Sequence, residues 1–177
     1  MISDTKVVAI GGGTGLSTML KGLKLHTHNI TAVVTVADDG GSSGILRSDL
    51  GMLAPGDVRN CVSALAEVDP VMGELLNFRF KDGSLKGHSL GNLFLAALNE
   101  TSSSFDEAVK KFSHLTGVVG TVYPVTNESV TLSALLEDGR LIEGESHIGV
   151  HHDGPKNGIV KLMVNPNKFA SANDGKV

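Results

Sequence analysis

Residues Val7–Leu16 read VVAIGGGTGL: a short apolar run that breaks into glycines at 11, 12, 13 and 15 and leads into a helical pattern. A buried strand, a turn stripped of side chains and a helix N-terminus, in that order, place backbone N–H groups where an anion can touch them. Glycine lets the chain approach a phosphate closely and adopt positive φ. The first turn of the helix adds unpaired N–H groups and the positive end of its dipole. The stretch departs from two common phosphate loops. G-x-G-x-x-G counted from Gly11 would need glycine where Leu16 stands, and no Gly-Lys-Ser/Thr follows. The plainer alternative is a tight strand-to-helix turn whose glycines only permit close packing, but a turn alone rarely needs so many.

Working outward, Lys6–Ile10 forms the first strand, and Leu16, Met19, Leu20 and Leu23 fall at helical spacing. Ile30–Ala37, ITAVVTVA, is rich in β-branched residues and reads as a second buried strand parallel to the first. Strand, helix, strand over roughly 30 residues is a βαβ unit. Asp38–Pro55 reads as a long loop, and long ordered loops in compact domains tend to be functional. Helices are expected from Gly56-Asp57, with Asp57 either capping that helix or facing a ligand, then over Val71–Phe80, Ser89–Leu98 and Phe105–Leu115. After Gly117 the pattern turns to β. Val118–Val125 is a strand, Ser129–Glu137 and Leu141–Ile148 flank the hairpin signal Asp138-Gly139, and Ile159–Val164 is one more strand. The fold class is α/β: a Rossmann-like, doubly wound, mainly parallel sheet with a β-hairpin in the C-terminal part. Residues 1–164 form the domain and 165–177 a polar tail.

Composition narrows the function. The chain has 177 residues, a formal charge of −4 and no tryptophan. It is long enough for one domain with a real core and carries no basic footprint for nucleic acid. No apolar run reaches the length of a membrane span, no secretory leader pattern opens the sequence, and the single cysteine, Cys61, fits a reducing compartment. A cytoplasmic protein is expected. Cys61 lies on the apolar side of its helix and reads as a core residue.

Beyond the glycine turn, Asp38 and Asp39 follow the second strand, at the carboxyl end where ligands of such sheets bind. A carboxylate there accepts hydrogen bonds from ribose hydroxyls or holds magnesium against phosphates. Gly40, Gly41, Ser42 and Ser43 continue the stretch, and the serines are candidate phosphate donors or simply solvated. Arg59 and Asn60 would sit near the positive end of a helix. A cation there opposes the dipole, which leaves an anion clamp or an exposed surface arginine as its role. His88, with Asn92 four residues on, either lines a pocket or packs. His147, His151 and His152 lack convincing zinc spacing and read as solvated loop.

Three blocks, GGGTGLSTMLKGLK, ITAVVTVADDGGSSGILRSDLGMLAPGDVRN and LKGHSLGNLFLAAL, together resemble the bacterial gluconeogenesis factor family, the YvcK-like proteins. These are similar to the 2-phospho-L-lactate transferases of deazaflavin coenzyme biosynthesis. The resemblance runs from Val7 to Ile148. It implies a cytoplasmic Rossmann-like protein that binds a nucleotide sugar such as UDP-N-acetylglucosamine and regulates cell shape and envelope synthesis on gluconeogenic carbon sources. A magnesium-dependent phospho-L-lactate/nucleotide transferase is the alternative, with magnesium on Asp38 or Asp39. It further implies Gly11, Gly12, Gly13, Thr14 and Gly15 at the phosphates, Asp38 and Asp39 beside the ligand, and Asp57, Arg59, Asn60, His88 and Asn92 around the same cleft. A homo-oligomer and an envelope-synthesis protein partner are expected. Ile45 stands where family members carry a basic residue, removing one anion contact. The family is also longer, with a glycine-serine segment of the GPGSLYTS kind that this sequence lacks, so the chain is expected to be the N-terminal part of a longer protein.

Overall fold

The computed structural model describes residues 2–149 and 157–165. The strand β1 (Val7–Gly11), the helix α1 (Gly13–Leu23) and the strand β2 (Ile30–Val34) form the expected βαβ unit. Helix α2 (Gly41–Leu50), helix α3 (Pro55–Leu65), helix α4 (Pro70–Asn77), helix α5 (Leu90–Glu100) and helix α6 (Phe105–Leu115) intervene before strand β3 (Thr121–Pro124). The three strands pair in parallel in the order β1-β2-β3, with Ala9 beside Ala32 and Ala32 beside Val122. Those three residues, with Ile30 and Val34, lie on the core side of the sheet, where α1, α3 and α6 pack. On the opposite face of β1, Val8 is 55% exposed and Ile10 74%.

The second strand ends at Val34, earlier than the β-branched run suggests. Gly11 and Pro124 are the register partners at that level, and both neighbours leave the sheet there. The segment read as a loop from Asp38 folds largely into α2. Its glycines and serines disfavour helix, but here glycine answers a steric demand. A Cβ on Gly44 would sit 2.1 Å from the Asp39 carbonyl oxygen. Gly51, at φ +63, ends the helix in the left-handed conformation that favours glycine.

Helix α3 begins at Pro55, where proline's fixed φ suits the first turn. Asp57 therefore lies inside the helix and does not cap it, which corrects that reading. Helix α4 is capped by Asp69, whose side chain accepts the Val71 N–H at 2.8 Å. It stops at Asn77, and Arg79 forms an antiparallel bridge with Ser89. The limits of α6 match the expected span.

Strand β4 (Thr131–Leu136) and strand β5 (Leu141–Glu143) form the hairpin at Asp138-Gly139, and strand β6 (Ile159–Asn165) pairs with the other edge of β4. The second arm of the hairpin is shorter than expected. Gly144, at φ +95, turns the chain into the short helix α7 (Glu145–Gly149). His151, His152 and the tail from 166 to 177 lie outside the described residues, which contain no helix long and apolar enough to cross a membrane.

Candidate functional site

The carboxyl ends of β1 and β2 and the N-terminus of α1 open onto a cavity of about 1000 Å³. Gly12, Gly13, Thr14 and Gly15 form one side and Thr35 to Asp38 another. The antiparallel sheet closes over it with Leu132, Glu145 and the stretch Lys161–Asn165. A smaller cavity of about 180 Å³ adjoins it, bounded by the first turn of α2 together with Arg59, Asn60, Arg79 and Asn92. Asp38 and Asp57 line both. The candidate site is thus two compartments sharing a wall of two carboxylates.

Asp57 explains why the turn needs glycine at position 13. A Cβ there would lie 2.1 Å from Asp57 Oδ1 and 2.8 Å from Asp57 Cα, so α3 can approach α1 only at glycine. The Asp57 carboxylate accepts the Gly13 N–H and, at 3.3 Å, the Thr35 hydroxyl. Burial pushes its pKa up, and the neighbouring charge of Asp38 adds to this. The first orphan N–H of α1 is thus satisfied by protein. Those of Thr14 and Gly15 have no acceptor within the helix, and both residues line the cavity.

The adjacent aspartates separate. Asp38 Oδ1 accepts the Gly40 N–H at 3.0 Å, a local turn bond, and its carboxylate lines both compartments. Asp39 turns away and accepts the Ser146 N–H at 2.8 Å in the first turn of α7. Burial works to raise the Asp39 pKa, but the Ser146 hydrogen bonds and the nearby Arg47 charge prevail and lower it. Arg47, which sequence reasoning passed over, donates at 3.2 Å to the carbonyls of Ala37 and Asp38 and at 2.7 Å to that of Val130. It fixes the backbone from which Asp38 projects and ties it to the segment leading into β4.

Around the small compartment runs a chain of hydrogen-bonded, buried polar groups. Arg59 can only donate, and its Nε reaches Asn92 Oδ1 at 3.2 Å. That orients the amide, whose Nδ2 donates to Ser42 Oγ at 3.1 Å. Ser42 Oγ is in turn hydrogen-bonded to His88 Nδ1, 3.0 Å away, and the tautomer of the imidazole sets which of the two donates. His88 thus orients Ser42 and does not itself line either cavity. Ser43 Oγ accepts the Gly56 N–H at 3.2 Å, joining α2 to α3. Gly91 lets α5 approach closely, since a Cβ would meet the Leu76 carbonyl at 2.6 Å and Arg59 Cδ at 2.9 Å.

Of the predicted residues, Gly12 to Gly15, Asp38, Gly40 to Ser43, Asp57, Arg59, Asn60 and Asn92 line one or both compartments. Gly11 packs on Leu16 at the end of β1, and Asp39 serves α7. Arg79, Glu145 and Lys161 were missed. Arg79 lies in an irregular segment, and the other two reach the site only through the way the second sheet folds over. Cys61 is buried in the core as expected, its pKa pushed up to about 12 by burial and the Asp57 charge. Among the described residues no group of three or more His, Cys, Asp or Glu side chains is arranged to hold a metal.

This combination, a glycine-rich turn on a parallel sheet with two cavities at the carboxyl ends of its strands, is that of a Rossmann-like α/β protein. The family model for 2-phospho-L-lactate transferase CofD matches residues 7–175, and the chain belongs to that family. A protein of Thermoanaerobacterium thermosulfurigenes is 58% identical over 165 residues, covering 93% of this chain and 51% of that protein. The gluconeogenesis factor of Bacillus subtilis is 51% identical over 144 residues, covering 81% and 45% respectively. A crystal structure of a UPF0052 family member from Bacillus halodurans superimposes with a TM-score of 0.84 at 42% identity, covering 93% of this chain and 52% of that one. The chain spans between 30% and 51% of the length of such curated relatives.

Proposed function

We propose that residues 1–164 form a Rossmann-like domain that binds a nucleotide sugar of the UDP-N-acetylglucosamine kind, in a non-catalytic regulatory protein. The observation that carries this is the large cavity at the carboxyl ends of the parallel strands, lined by Thr14 and Gly15 of the first turn of α1, whose N–H groups have no acceptor within the helix. In this reading the diphosphate sits at the first turn of α1, and Asp38 accepts hydrogen bonds from the ribose or the sugar. Asp57, its charged form disfavoured by burial and by Asp38, lessens repulsion of the phosphates. Arg59, Asn60, Asn92 and the serines of α2, with His88 behind them, belong to the same site.

The resemblance to gluconeogenesis factors supports a cytoplasmic regulator of cell shape and envelope synthesis on gluconeogenic carbon sources, acting as a homo-oligomer on an envelope-synthesis protein partner. The family description favours a second reading, a magnesium-dependent phospho-L-lactate/nucleotide transferase. Magnesium is commonly held by one or two carboxylates together with substrate phosphates. Asp38 could supply one such ligand; Asp39 is committed to α7. Against the transferase, the large cavity has no aromatic side chain in its described lining on which a flat acceptor could stack.

Calorimetric titration of the intact protein with UDP-N-acetylglucosamine, GDP and NAD, each with and without magnesium, tests the choice. Binding of the UDP-sugar without turnover is the expected result. Magnesium-dependent GDP binding with the sugar ignored would move the assignment to the transferase.

A further inference from the structure

The small compartment holds two arginines with no counter-ion. Arg59 is only 7% exposed, yet neither it nor Arg79 forms an ion pair among the described residues. Its Nε and Nη1 are held by the neutral side-chain oxygens of Asn92 and Asn77, at 3.2 and 2.9 Å. Its Nη2 bonds to nothing described. Burial and the nearby positive charge of Arg79 both press its pKa down, so the arrangement is unfavourable as it stands. A buried charge is ordinarily paired. Asn60 lines the same cavity, and its side chain makes no hydrogen bond among the described residues.

Facing these groups is the first turn of α2, a ten-residue helix with no side-chain cap. The N–H groups of Gly41, Ser42 and Ser43 have no acceptor within it. Asp38 and Asp57 complete the enclosure on the side of the large cavity.

We infer that this compartment is an oxyanion seat, which takes a compact phosphoryl group between the two guanidinium groups and the α2 N-terminus, separate from the seat at the glycine turn. The missing counter-charge of Arg59 and Arg79 is supplied by the ligand. Asp38 and Asp57 stand on the side of the large cavity, where the phosphoryl group joins the rest of its molecule. The inference rests on the proposal that the two compartments form one binding site. The phosphoryl group is either part of the nucleotide sugar or belongs to a second ligand.

Inorganic phosphate titrated into the intact protein at constant ionic strength, followed by calorimetry and phosphorus NMR, tests it. Saturable binding with Kd of about 1 mM or tighter is expected. Arg79→Gln should weaken it about fivefold with no change in melting temperature, because Arg79 is exposed and bonds only to the Gly87 carbonyl. Arg59→Gln should weaken it by about twentyfold or more. Repeating the titration with UDP-N-acetylglucosamine bound separates the sources: exclusion assigns the phosphoryl group to the nucleotide sugar, and simultaneous binding assigns it to a second ligand. Absence of saturable phosphate binding, or binding unaffected by Arg79→Gln and Arg59→Gln, overturns the seat. UDP-sugar binding with no phosphate seat leaves the nucleotide reading standing. Phosphate binding with no UDP-sugar affinity removes the nucleotide reading and leaves the seat.

Discussion

The two compartments on either side of Asp38 and Asp57 are built on opposite principles. The large one relies on backbone: a glycine turn, free N–H groups of α1 and an apolar cover from Leu132, Leu162 and Val164. The small one sets side chains against the first turn of α2: two arginines, two asparagines and a serine held in a hydrogen-bonded chain. A backbone site tolerates different ligands because every nucleotide has phosphates. A side-chain site selects, because its polar groups are expensive to leave unpaired. Under the proposed function, the first supplies affinity for the diphosphate and the second supplies discrimination.

The sharpest way to break this comparison is at the glycines. Gly13→Val drives side-chain atoms into the Asp57 backbone and should destabilise the fold by about 3 kcal/mol, read as a lower melting temperature. Gly15→Ala meets nothing within 4 Å and should change stability by no more than about 1 kcal/mol, upward because alanine favours helix. If both variants melt alike, the close approach of α3 to α1 is misplaced.

The aspartates come next. Asp38→Asn should weaken nucleotide-sugar binding about tenfold, on the order of 1.4 kcal/mol. Asp39→Asn should leave that affinity unchanged, because its carboxylate is spent on Ser146. Equal losses in the two variants would put both carboxylates at the ligand.

Asp57 sets a pH dependence. Its folded pKa is raised by burial and by Asp38, so the folded state holds the proton more tightly than the unfolded chain does. That contribution is full below the ordinary carboxylate value of about 4 and is lost as pH rises through the raised value. Asp57→Asn should therefore melt higher than the wild type at neutral pH, with the difference closing as pH falls toward about 4. Parallel melting curves across this range would show that the carboxylate carries no burial penalty.

The smallest effect lies outside the site. Burial of Asp106 favours its neutral form, but hydrogen bonds from Lys110, Ser104 and Asn127 prevail and bring its pKa to about 2. Its stabilisation is present above the ordinary value and lost as pH falls toward 2. Asp106→Asn should cost about 1 kcal/mol near neutrality and leave phosphate and nucleotide binding untouched.

The backbone compartment was the legible one. Glycines after a β-branched strand announce a turn that binds anions or packs closely, and here position 13 packs while positions 14 and 15 line the cavity. Asp38 and Asp39 could not be told apart in sequence, because neighbouring side chains diverge and only α7, far along the chain, claims one of them. Helix α2 stayed hidden because Gly44 answers crowding by the Asp39 carbonyl and Gly41 a positive φ, neither of which local propensity sees. Arg59 stood out by opposing its helix dipole, whereas Arg79 gave no local signal. The cover over the large cavity depends on how β4 and β6 cross the parallel sheet, which no local pattern encodes.

The most direct test is a crystal structure of the intact protein with UDP-N-acetylglucosamine. The account predicts the diphosphate against the N–H groups of Thr14 and Gly15, with Asp38 within hydrogen-bonding distance of a ligand hydroxyl. A ligand bound away from the α1 N-terminus, with both compartments empty of it, would contradict the account.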